Sequence, residues 1–119
     1  MLTLKLFIRR MSLAANRSTD GPIAQAIDTK IRQKFSGMQH FALFNDSYKH
    51  AGHHGMEEAD NKIESHFRLE LVSEAFQGLT LPKRHRQIYN LLDEELKNGV
   101  HALQLQTRTP AEQAKKQQQ

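Results

Sequence analysis

The side chains best suited to hold a metal in this chain are its seven histidines, because it contains no cysteine. Thiolate ligation and disulfides are therefore excluded for this chain, and imidazole nitrogen remains. Three histidines, His50, His53 and His54, crowd into the glycine- and charge-rich stretch KHAGHHGMEEADNK. Glycines beside them would let the rings swing together. The plainer account is a solvated loop or a nonspecific metal-binding tract. His101 stands apart, two residues after Gly99, at the start of VHALQLQT. It has the parity of Leu103 and Leu105, which predicts a ring held at the rim of a packed strand. Partial desolvation there favours the neutral imidazole, the form that binds metal. On spacing alone, a histidine that merely caps the strand is the more economical reading. Four ligands at zinc spacing cannot be identified. Neither a nucleophile–base pair nor a phosphate loop is recognisable, so the residues do not describe an enzyme.

The other histidines carry less. His85 falls with Leu81, Ile88 and Leu92 on the apolar face of a helix and reads as a packed histidine. His66 points opposite Phe67 on its strand and reads as structural, and His40 has no signal. Lys83, Arg84 and Arg86 form a basic cluster near the start of the same helix. They fit an ordinary solvated face, or recognition of an acidic partner or phosphate. Clamping a nucleic-acid backbone would need a GxxG loop, and only Gly78 is present there.

The elements that must position these residues follow from periodicity. Asp20-Gly21-Pro22 is a helix start, with Asp20 as the capping residue and proline in the first turn. Ile23, Ile27, Ile31 and Phe35 make its apolar stripe, and Gly37 ends it. HFALFNDS reads as a strand. The segment from about Asp46 to Glu64 is a long loop, of a length that is usually functional or mobile. SHFRLELVS alternates Phe67, Leu69 and Leu71 with His66, Arg68 and Glu70, a half-buried strand. Pro82 opens a second helix that stops at Lys97-Asn98-Gly99, and VHALQLQT is the third strand. Thr109-Pro110 could start a short terminal helix; residues 111–119 read as a polar tail, with AKKQQQ frayed at its end. The predicted class is α+β, with helices packed on one face of a three-stranded mixed sheet.

Charge separates the leader from the body. Residues 1–19 hold Lys5, Arg9, Arg10 and Arg17 and no acid, whereas from Asp20 onward basic and acidic residues balance at thirteen each. The chain from Asp20 onward, whose folded body is read at 20–110, therefore lacks the basic surplus expected of a phosphate-binding domain. In the leader, Leu4, Phe7, Ile8 and Met11 share a helical face opposite Lys5, Arg9 and Ser12. That pattern reads as a mitochondrial presequence; a disordered basic tail is the alternative. No apolar run is long enough to span a bilayer.

Between about Ile23 and Pro110 the ordered motifs NDSYKHAGH, SHFRLELVSEAFQGLTLPKRHRQIY, EEL and VHALQLQTRTP resemble those of BolA-like proteins. The resemblance implies a fold similar to a class II KH domain, in the order αββαβ. It also implies an iron–sulfur cluster assembly factor of the mitochondrial matrix that partners a monothiol glutaredoxin. The pair would share a bridging 2Fe–2S cluster, with sulfur from glutaredoxin and glutathione on one side and histidines of this chain on the other. Late delivery to 4Fe–4S client proteins would follow. The family's histidine in the VHAL strand falls on His101. Its variable histidine or cysteine in the first strand–strand loop falls on His50, with His53 and His54 as competitors because this loop is longer than in many relatives. TPAEQAKK also lacks the tryptophan often found after TP in the family. Imidazole on one iron raises the reduction potential, and a ligand set split between two proteins suits transfer or sensing better than storage. Two other roles stay open: a nucleic-acid-binding regulator using Lys83, Arg84 and Arg86, and a structural adaptor that binds glutaredoxin without touching metal.

Overall fold

Proline in the first turn and a four-residue apolar repeat set the first helix, α1 (Pro22–Lys34), whose Ala24, Ile27 and Ile31 are buried. A computed structural model describes residues 21–47 and 64–118. The leader, Asp20 and residues 48–63, with His50, His53 and His54, lie outside the described residues. After α1 come β1 (His40–Asn45), β2 (His66–Val72), a 3-10 turn (Glu74–Phe76), α2 (Leu81–Leu91), α3 (Asp93–Lys97), β3 (Ala102–Arg108) and α4 (Pro110–Gln117). No helix among the described residues is long and apolar enough to cross a membrane.

The sheet is mixed, in the order β1-β2-β3. β1 pairs antiparallel with β2, Leu43 against Leu69, and β2 pairs parallel with β3, Leu69 against Leu105. Period-2 alternation sends Phe67, Leu69 and Leu71 to one face, where they join Leu43 and Leu103. The stripe of α1 and Ile88 and Leu92 from the second helical region close over them as one core. The other face is polar and charged: Arg68 pairs with Asp46 at 2.6 Å and lies over the Phe44 ring, and His40 meets Glu70 at 3.1 Å. The predicted α+β class and three-stranded mixed sheet are present.

Three local expectations change. The N-cap of α1 is Gly21, which brings no side-chain cap of its own. Glu64 does the capping from across the fold: its carboxylate accepts from Ile23 N (3.3 Å) and Ala24 N (2.9 Å). A negative group at a helix N-terminus satisfies orphan donors and complements the helix dipole. It also explains the glycine, because a Cβ on residue 21 would run into that carboxylate. The second helix is broken at Leu92 (φ −101°, ψ 22°) into α2 and α3. The break lets Glu95 reach Lys30 on α1 at 2.9 Å, and that bond raises the lysine pKa. Finally, the short helix expected from Thr109-Pro110 is present as α4 and runs on to Gln117, through most of the stretch expected to fray. Thr109 and Glu112 form a reciprocal capping box, each side chain accepting from the other's backbone N–H.

Candidate metal-facing site

One end of the sheet gathers three chain crossings: the end of β1, the start of β2 and the start of β3. Two small residues tie them together. Ser47 is 2% exposed, and its Oγ accepts from Ser65 N (2.9 Å) and His66 N (3.0 Å). Asn45 Oδ1 in turn accepts from Ser47 N at 3.0 Å. Ser65 is fully buried, and its carbonyl accepts from both His101 N (2.6 Å) and Ala102 N (3.1 Å). Serine fits both places because its hydroxyl bonds locally to backbone without needing volume.

Upon this frame stand two imidazoles. His66 is 9% exposed, and its Nδ1 shares a 2.9 Å hydrogen bond with Ser65 Oγ. His101 is exposed. Their ring centroids are 5.4 Å apart with planes tilted by 38°. Gly99, at φ 123°, turns the chain from α3 towards them, and Val100 is buried between the turn and His101.

His101 is therefore at the rim, but not as its parity predicts. β3 begins only at Ala102, and two successive N–H groups converge on one carbonyl, so the in–out alternation is not yet in force at His101. The ring meets His66 and solvent, and the expected desolvation is absent. His66, read as structural, is the neighbour that sequence reasoning missed. Its parity was legible; its meeting with His101 depends on the parallel register that sets His66 beside Ala102. His50, His53 and His54 follow Ser47 by three, six and seven residues, so their segment leaves the described fold at this same end. Among the described residues no three histidine or acidic side chains converge on a metal-sized site.

The basic cluster on α2 is divided by the structure. Lys83 and Arg86 are exposed. Arg84 is not presented to a partner: it is 5% exposed and enclosed by the fold. Its Nε donates to Leu79 O (2.9 Å), its Nη1 to Thr107 O (3.3 Å) and Glu112 Oε1 (2.7 Å), and its Nη2 to Glu112 Oε2 (3.1 Å). This bidentate pair, helped by the Thr109 backbone N–H, holds the Glu112 carboxyl down at about 2. The inward stripe of α2 runs through Arg84 and Ile88, whereas Leu81, expected inside, is 54% exposed. His85 is half-buried on the same helix.

Comparison with known proteins adds the family. The profile described as BolA-like protein matches residues 31–112. BolA-like protein 1 of Bos taurus is 37% identical over 121 residues, covering 94% of this chain and 84% of that protein. SufE-like protein 1, chloroplastic/mitochondrial, of Arabidopsis thaliana is 55% identical over 67 residues, 56% of this chain but only 18% of that longer protein. The solved BolA domain of SufE1 from the same plant superimposes with a TM-score of 0.67 at 42% identity, covering 77% of this chain and 96% of the domain. A Haemophilus influenzae protein named DNA-binding transcriptional regulator BolA is 40% identical over 91 residues, covering 76% and 80% of the two chains.

Proposed function

The chain belongs to the BolA-like protein family, and on that premise we propose that it is a non-enzymatic iron–sulfur cluster assembly factor working with a monothiol glutaredoxin in the mitochondrial matrix. The observation that carries the reading is the exposed imidazole of His101, backed by His66 and held by its own backbone at the rim of the sheet. The exposed His101 fits a shared 2Fe–2S cluster: nitrogen is a donor that iron accepts, and imidazole alone is an incomplete set that leaves thiolate positions to another molecule. His101, joined by His50 or His53 from the 48–63 segment, would face the cluster, with glutaredoxin and glutathione supplying sulfur. The cluster would bring the transferable iron and the redox chemistry. This chain's part is to present imidazole at a fixed place and to bind the partner, with the exposed Lys83 and Arg86 available to an acidic surface. A site that is complete only while two proteins are together suits transfer, and the resemblance to BolA-like proteins implies assistance to late 4Fe–4S insertion into client proteins. The relative named chloroplastic/mitochondrial supports an organellar setting.

The test is spectroscopic. Mixed with a mitochondrial monothiol glutaredoxin, glutathione and a cluster source, the protein is expected to change the cluster's visible absorption and circular dichroism. His101→Ala should abolish that change while moving unfolding stability by no more than about 0.5 kcal/mol, as expected for an exposed side chain. A variant that gives the wild-type spectrum would remove His101 from the ligand set. Alanine substitutions at His50, His53 and His54 in turn identify the loop ligand as the one that reproduces the His101→Ala effect.

The Haemophilus relative's name favours a second reading, binding of DNA. With Arg84 enclosed, it would rest on Lys83 and Arg86 in α2. DNA affinity that falls steeply with salt and disappears in a Lys83→Glu, Arg86→Glu double variant would support it over the cluster role.

A further inference from the structure

The two imidazoles at the sheet end are in opposite situations. His66 is fixed by its backbone and by Nδ1. Its N–H donates to Ser47 Oγ (3.0 Å), its carbonyl accepts from Asp46 N (2.8 Å), and its Nδ1 is bonded to Ser65 Oγ (2.9 Å). His101 is tied by its backbone N–H to Ser65 O and is otherwise exposed. A ring separation of 5.4 Å with tilted planes lies within the range in which aromatic rings attract one another. One residue, Ser65, serves both: its hydroxyl orients His66 and its carbonyl anchors His101. An exposed histidine without such backing samples several rotamers, and freezing them on ligation costs conformational entropy. Metal-binding histidines in general depend on a neighbouring group that fixes their ring orientation.

We propose that His66 is a positioning residue: a fixed imidazole against which the exposed ring of His101 is held in one orientation. The claim deepens the cluster role and rests on it for its purpose, while its geometry is a property of the free protein. His66 acts through ring packing. A phenyl ring should therefore replace it, and a small side chain should not.

The first measurement needs no cluster. In the free protein, NMR side-chain couplings and ring relaxation of His101 are expected to report one dominant rotamer. His66→Phe should keep it, and His66→Ala should average it. The second uses the loaded complex with glutaredoxin and glutathione, reduced and read by pulsed EPR for nitrogen coupled to iron. His66→Phe should keep the His101 nitrogen coupling. His66→Ala should broaden it and weaken the loaded complex on the order of tenfold. Averaged His101 couplings in the wild-type protein would overturn the proposal even if no His66 variant folded, and would leave the cluster role standing. Loss of the nitrogen coupling in His66→Phe would also overturn it, because His66 would then act through its own nitrogen.

Discussion

The two ends of the three-stranded sheet handle polar groups in opposite ways. At the end where β2 and β3 finish, a cation is buried and saturated. Arg84 satisfies two carbonyls and a bidentate carboxylate, and through Glu112 it fastens α4 to the body. At the end where they begin, serines and the Glu64 carboxylate fix the backbone, His66 is buried, and a second imidazole, His101, is left facing outward. The first arrangement uses its strongest polar side chain for cohesion. The second leaves one ring, His101, out of the packing, so that ring can be offered to another molecule. The exposed ring of His101 thus sits away from the Arg84 clasp, and substitutions at the two ends should not mimic one another.

Breaking the buried end should cost most. Arg84→Ala leaves Thr107 O, Leu79 O and the Glu112 carboxylate without their cation, so a loss of about 2–4 kcal/mol in urea unfolding is expected. The folded fraction should still give the His101-dependent cluster spectrum. If that spectrum vanished while the fold survived, the two ends would not be independent. Next in size is Ser47→Ala, which removes the acceptor shared by Ser65 N and His66 N. About 1–3 kcal/mol is expected, together with faster amide exchange at residues 65 and 66. No comparable change should occur at Arg84.

The smallest effect is a pH dependence. The Glu112 carboxyl is held near 2, below its unfolded value, so its contribution is fully present above about pH 4.5 and drains as pH falls towards 2. With half of its side chain exposed, the contribution is screened and modest. Unfolding measured from pH 6 to pH 2 should show a shallower acid loss in Glu112→Gln than in wild type. Equal slopes would mean that the clasp is not what titrates.

How legible each end was depends on how far apart in sequence its partners lie. The alternation of Phe67, Leu69 and Leu71 and the stripe of Ile27 and Ile31 are local periodicities, and both appear as read. His101 was legible as a rim residue, though its exposure was not, because the strand starts one residue later than the apolar alternation implies. Arg84 was visible as a cation but not as a buried one, since its carboxylate partner is 28 residues away. The capping of α1 by Glu64, 40 residues from Ala24, was hidden for the same reason, and Asp20 was the only local candidate. The break at Leu92 has no glycine or proline to announce it. The pairing of His66 with His101 needed the parallel register of two strands, which no local pattern encodes.

The glycine against Glu64 has a practical consequence. Gly21 precedes the first turn of α1, and the carboxylate that a Cβ there would meet sits one residue before Ser65, the anchor of His101. A side chain introduced at residue 21 would therefore press on the segment that anchors His101. A label on the last helix is carried by the strand ends furthest from it. For spectroscopy of the assembled pair, the carboxyl terminus is the safer handle.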